Sequence, residues 1–266
     1  MTTSFSFREG QSPLLVSVPH DGRLLPADVA NRMTAAGLAL SDTDWNVARL
    51  YDFVEQLDAS MIVADYSRYV VDLNRSPVDE ALYENQLSTG LCPTHTFAGE
   101  AIYQPGCAVT APEQLLRVEE YWRPYHQCLQ NTLGRLQEQF GYALLWDAHS
   151  IRGVVPTLFD GELPVLNIGS NGGASCDPEL IEAVMAVVRH SDYSSVHNGR
   201  FSGGYITRNY GLPKSHVHAL QLELAQHSYM DENTLRYDFA DARSLAAVIE
   251  KMLRAFVDAA KSAYRN

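Results

Sequence analysis

Positive charge is in short supply. Lys and Arg number 20 against 32 Asp and Glu, a formal net charge of −12 with no basic run to offset it. That balance excludes the clustered cationic surface that nucleic-acid backbones require. Cysteine is also sparse: Cys92, Cys107, Cys128 and Cys176 stand far apart and form no CxxC pair, which excludes a disulfide framework. No stretch approaches the roughly 18 consecutive apolar residues of a membrane span. The opening MTTSFSFREG lacks the apolar segment of a secretion signal, so a cytoplasmic protein is expected, with a small molecule as its partner and neither nucleic acid nor membrane. The phosphate loops GxxxxGK[ST] and GxGxxG are absent, as is the nucleophile elbow GxSxG; a mononucleotide site and an elbow-type serine hydrolase fall with them.

What is present is an alternation of short apolar runs with helical patterns over 266 residues, the signature of an α/β/α sandwich in one domain, 1–266. Strands are expected at Leu14 to Val18, Met61 to Asp65, Tyr69 to Leu73, Tyr142 to Trp146, Val165 to Gly169 and Val217 to Ala225. The second and third are close enough to be antiparallel neighbours, which makes the sheet mixed. Helices are expected from Pro26, from Asp44 with Asp42 or Asp44 as its cap, from Pro112 to Phe140 with a break near Pro124, from Pro178 to His190, and from Ala240 to Tyr264. Residues 76–110, with Pro77, Pro93, Gly99, Pro105 and Gly106 and no sustained period, read as a long excursion of the lid or binding-loop kind.

Polar clusters sit where strands end, the usual place for ligands in open α/β sheets. SVPHDG puts His20 beyond the first strand, SDTDW offers Asp42 and Asp44, and ALLWDAHS delivers Asp147 and His149. Two imidazoles and one carboxylate from separate segments are the ligand set of a catalytic zinc site, and Asp147 suits the hydrogen-bonded backing that metal-bound histidines receive. Taken singly, each residue has a plainer reading: a turn histidine, a helix cap, a buried pair. In HALQLELA, Leu220, Leu222 and Leu224 share one face and Gln221 and Glu223 the other. A carboxylate on an otherwise apolar strand suits a base beside an activated water, or an acid paired with a neighbouring arginine. Asn74 and Arg75 in VVDLNRSP can grip a carboxylate. RFSGGYITRNYG reads as a mobile loop that offers Tyr205 and Arg208 to substrate. Ser150 points away from His149 on an extended chain, and no cysteine has a visible histidine partner.

The ordered set SVPHDGRLLP, DTDW, SRYVVDLNRSP, DAHS, GGYITRNYG and HALQLELA resembles the N-formylglutamate amidohydrolase family across most of the chain. The resemblance implies a fold similar to that of zinc carboxypeptidases, and hydrolysis of N-formyl-L-glutamate to formate and L-glutamate, the last step of one route of histidine degradation. It implies His20, Asp44 and His149 as ligands of one divalent metal ion, with Asp42 competing for Asp44's place, because the HxxE pattern of carboxypeptidases is replaced here by HDGR. It implies Glu223 as base, and Asn74 with Arg75 as the grip on a carboxylate. The developing oxyanion falls to Arg68 or Arg75. The second carboxylate falls to Arg208, with Arg200 and Arg152 in reserve. Zinc suits the ligand set, and cobalt, iron, nickel or manganese can occupy such a site. Rival readings are a deacylase of another N-acyl acidic amino acid and a non-catalytic binder of acidic amino acids. Nothing in the sequence forbids a homo-oligomer.

Overall fold

The computed structural model describes residues 4–78 and 89–265. Residues 79–88, part of the expected excursion, lie outside them. Strands β1 (Phe5–Arg8), β2 (Leu14–Val18), β3 (Ser60–Ala64), β4 (Ala143–Ile151), β5 (Leu166–Gly169), β6 (Ser195–His197) and β7 (Val217–Ala225) form one sheet in the order β1-β3-β2-β4-β7-β5-β6. The central strands β3, β2, β4 and β7 run parallel, while β1 lies antiparallel on β3 and β5 antiparallel on β7. The sheet is mixed as expected, through different pairs from the one anticipated. Among the described residues no helix is long and apolar enough to cross a membrane.

The helices are α1 (Ala27–Ala30), α2 (Ala35–Leu38), α3 (Val47–Leu50), α4 (Ala111–Arg117), α5 (Arg123–Phe140), α6 (Pro178–Arg189), α7 (Tyr205–Tyr210) and α8 (Phe239–Ala263). Period-two alternation divides the sheet's two faces. Leu14, Val16 and Val18, Leu144, Trp146 and Ala148, and Leu220, Leu222 and Leu224 pack in one cluster with α3, α6 and α8. Leu15, Ala143, Leu145, Val217 and Ala219 pack in another, with α5 and with Ile206 of α7. Followed toward the carboxyl ends, this second face changes character. Ser17, Asp147, His149, Gln221 and Glu223 continue the same alternation, all buried.

Several expectations give way. Tyr69 to Leu73 is no strand but a buried irregular segment, because its carbonyls are satisfied by side chains rather than a ladder. Arg117 Nη1 donates to the Val70 carbonyl (2.7 Å), and the Tyr103 hydroxyl donates to that of Tyr69 (3.1 Å). The helix expected from Asp44 shrinks to α3 followed by the 3₁₀ turn Asp52–Leu57. The loop expected over 200–211 contains α7. The long helix near Pro124 is not cut; a π-turn, Val118–Trp122, joins α4 to α5 and absorbs the missing proline donor.

Arg117 is 4% exposed and also donates to the Tyr103 hydroxyl (2.9 Å) and to Glu113 (2.6 Å). Arg117→Met therefore leaves the Val70 carbonyl to the weak Cys92 thiol donor, 3.5 Å away, and is expected to cost about 2–4 kcal/mol. The check is a lower urea midpoint at unchanged slope; an unchanged midpoint would refute this account of the 69–73 segment.

Candidate metal centre and active-site cavity

Pro19 ends β2, and His20 is fixed at once by the chain it meets. Its carbonyl accepts from the Asp44 N–H (3.0 Å). The neighbouring Asp21 carboxylate accepts from Asn46 N (3.1 Å) and Ala48 N (3.0 Å), so Asp21 caps α3 and neither Asp42 nor Asp44 does. Asp44, released from capping, accepts instead from Ser150 N on β4 (3.1 Å). Three segments distant in sequence are thereby tied at one point.

His20, Asp44 and His149 are all buried, and each offers a ligand atom within 4.8 Å of the others. Asp44 Oδ2 lies 3.0 Å from His149 Nδ1 and 3.7 Å from His20 Nδ1. The outer nitrogens face carboxylates: His20 Nε2 meets Asp72 Oδ1 at 2.8 Å, and His149 Nε2 meets Asp147 Oδ2 at 2.9 Å. In the neutral tautomers that donate from Nε2, each Nδ1 lone pair would face Asp44, the arrangement in which a carboxylate orients a metal-binding imidazole. His20 Nδ1 is buried with no hydrogen-bond partner, a cost that a cation between the three groups would remove. The donor set could hold such an ion. Asp42 stands apart, accepting from Phe97 N (2.8 Å), because only Asp44 is held by the His20 carbonyl.

The charges follow from burial and proximity. Burial opposes ionisation of Asp44, but the hydrogen bond to His149 and the nearby His20 imidazole outweigh it and lower its pKa. Burial also opposes ionisation of Asp72, and Arg68, 2.6 Å away, outweighs it. Burial disfavours a charged His149, yet Asp147 and then Asp44 hold its imidazolium well above the usual histidine range. Glu223 sits opposite His149 in the β4–β7 register. Burial raises its carboxyl to about 8.

One cavity collects His20, Arg68, Asn74, Arg75, His149, Arg200, Gln221 and Glu223, with Phe97, Ile151, Leu158 and Phe201 as an apolar wall. Arg68, Asn74, Arg75 and Glu223 thus share a cavity with His20 and His149. The Asn74 amide donates to Asp147 Oδ2 (3.3 Å) and sits 2.9 Å from His149 Nε2, while its Oδ1 accepts from Ile206 N (2.8 Å). Arg75 Nε donates to the Thr89 carbonyl (3.0 Å). Three sequence candidates do not line this cavity. Tyr205 packs on Trp122 and His126, and Arg208 turns back to the Gly203 carbonyl (2.8 Å), because both belong to α7 and not to a mobile loop. Arg152 contacts the Glu232 carbonyl and lines a neighbouring pocket. The cation brought to the cavity in their stead is Arg200, whose Nε donates to the Leu158 carbonyl (2.7 Å). Asp72 went unnoticed in the sequence because it is embedded in the apolar YVVDL.

Two outcomes are expected. Both Glu223 and His149 have raised pKa values, so each carries a proton at pH 7, and a divalent cation repels both. Zn²⁺ binding should release roughly one to two protons, read by calorimetry in buffers of different ionisation enthalpy; no release would contradict the site. Asp72→Asn should weaken Zn²⁺ binding by about ten- to a hundredfold, and unaltered affinity would deny Asp72 its orienting part.

A model of the family described as N-formylglutamate amidohydrolase matches residues 12–230. Over 261 residues, 97% of each chain, the protein is 50% identical to an N-formylglutamate deformylase of Pseudomonas aeruginosa and 48% identical to one of Pseudomonas putida. Among solved structures, an N-formylglutamate amidohydrolase from Ralstonia eutropha JMP134 superposes with a TM-score of 0.80 at 22% identity, covering 98% of both chains. A gene product from Agrobacterium tumefaciens superposes with 0.71 at 18%, covering 95% of this chain and 96% of that one. These two structures speak to the fold.

Proposed function

The chain belongs to the N-formylglutamate amidohydrolase family, and from that premise we propose that it hydrolyses N-formyl-L-glutamate to formate and L-glutamate, in the cytoplasm and as the closing step of histidine degradation. The observation that carries this reading is the buried His20–Asp44–His149 group with Glu223 opposite His149 on the adjoining strand. A divalent cation, zinc by the character of the donors, would be held by His20 Nδ1, Asp44 and His149 Nδ1, and would supply Lewis-acid polarisation of the formyl oxygen and a more acidic water.

The chain's own groups do the rest. Glu223 takes the proton of the attacking water as oxygen adds to the formyl carbon, then passes it to the amide nitrogen as the C–N bond breaks. Its burial suits this exchange, because a carboxyl raised to about 8 binds a proton more firmly than an exposed one. Arg68 faces the developing oxyanion, anchored by Asp72. Formyl is too small to be recognised alone, so selectivity rests on the glutamate carboxylates, for which Arg75 and Arg200 line the cavity. Arg200 takes the part that the sequence suggested for Arg208. The chain works as one metallohydrolase domain, with the excursion of residues 76–110 lending Thr89 and Phe97 to the cavity wall.

Formate release from N-formyl-L-glutamate, N-formyl-L-aspartate and N-acetyl-L-glutamate, before and after chelation, tests the reading. Preference for either of the last two substrates, or full activity in chelator, would defeat it. Glu223→Gln is expected to lower kcat by about 10²- to 10⁴-fold while Zn²⁺ still binds. Because the base must be deprotonated, activity should fall on the acid side, with an inflection above the ordinary 4.5 and no higher than about 8; a flat profile would argue against Glu223 as base.

A further inference from the structure

The irregular segment 72–75 carries three groups of the site: Asp72 behind His20, Asn74 beside His149 and Asp147, and Arg75 on the cavity wall. No ladder or helix holds such a chain, so its carbonyls must find other donors. Two of them meet ring N–H groups from a single helical face. Trp122 Nε1 donates to the Arg75 carbonyl (3.0 Å), and His126 Nε2 donates to the Leu73 carbonyl (2.8 Å). The two rings stack with centroids 3.6 Å apart and planes 18° from parallel, so neither donor can swing without the other.

The arrangement closes through α7. His126 Nδ1 lies 3.0 Å from the Tyr210 hydroxyl at the far end of that helix, and the same hydroxyl donates to the His126 carbonyl (3.2 Å). At its near end, Ile206 N donates to Asn74 Oδ1 (2.8 Å) and Tyr205 N to the Asn74 carbonyl (3.4 Å). Burial pushes the His126 pKa down to about 3, so the ring stays neutral and keeps one donor and one acceptor. The π-turn Val118–Trp122 ends at Trp122 itself, and such turns often mark a helix adjusted to a functional site.

We infer that Trp122 and His126 are positioning residues with separable effects: Trp122 sets the substrate grip through Arg75, and His126 sets the cation grip through Asn74 and the Asp147–His149 pair. The inference rests on the roles proposed above for Arg75 and His149. Packing alone would predict lost stability and unchanged constants in the molecules that remain folded.

Four proteins decide the matter: wild type, Trp122→Phe, His126→Leu and His126→Gln. Each is measured for thermal stability, for Zn²⁺ affinity by competition with a chromophoric chelator, and for KM and kcat of formate release. Trp122→Phe keeps the stacked ring and deletes one N–H; KM should rise about tenfold with Zn²⁺ affinity within about twofold of wild type. His126→Leu should weaken Zn²⁺ binding about tenfold, and His126→Gln, whose amide can reach the Leu73 carbonyl, should recover most of it. If the leucine variant does not fold, His126→Asn, too short to reach, takes its place. An unchanged KM in Trp122→Phe, or equal Zn²⁺ affinity with and without the donor at 126, overturns the inference. If wild type releases no formate, only the substrate reading fails, and the Zn²⁺ measurements still decide the part played by His126.

Discussion

Buried charge is the constraint around which this protein is built. Asp44, Asp72 and Asp147 are each at most 2% exposed, and a carboxylate so far from water survives only when compensated. Arg68 is the guanidinium among them, 2.6 Å from Asp72 and 3.7 Å from Asp44. Even with Arg75 also acting on Asp72, three buried carboxylates call for further positive charges. Protons on the imidazoles can supply them, and so can a divalent ion among His20, Asp44 and His149.

The sheet makes the arrangement affordable. On the face that meets α5, the alternation runs apolar at one end and polar at the other, so a packed core supports every polar group from below. The parallel strands all end at the same edge, and three short ties then close the site: the His20 carbonyl with Asp44 N, Asp21 with the start of α3, and Asp44 with Ser150 N. Each satisfies a backbone donor that would otherwise be orphaned, so the geometry of the centre and the completeness of the hydrogen bonding are one requirement. The cavity beyond is cationic on its polar side although the whole molecule is strongly acidic, which is how a local field can draw an anionic ligand against the net charge.

How much of this could be read from the sequence depended on range. The strands at Leu14 to Val18 and Val217 to Ala225, and the helices near Pro178 and Ala240, were legible because sustained periodicity is a local property. His20, His149 and Glu223 were visible because polar residues at strand ends break an apolar pattern. Asp44 could not be told from Asp42, since the distinction comes from a backbone bond to residue 20. Tyr69 to Leu73 mimicked a strand because a buried irregular segment and a buried strand draw on the same apolar residues; what separates them is Arg117, far along the chain. The segment of Tyr205 and Arg208 was read as a loop for a similar reason, as α7 is short and its first turn is satisfied by Asn74, a residue no local window contains.

The register of β4 on β7 sets His149 directly across from Glu223, whereas Arg75 and Arg200 belong to connecting segments. A ladder of hydrogen bonds tolerates no insertion without flipping every side chain beyond it; connections accept lengthening and exchange readily. Under the proposed roles, reactivity and selectivity are therefore heritable in separate parts of the chain, and descendants of this scaffold can drift toward new acids while Glu223 stays locked opposite His149.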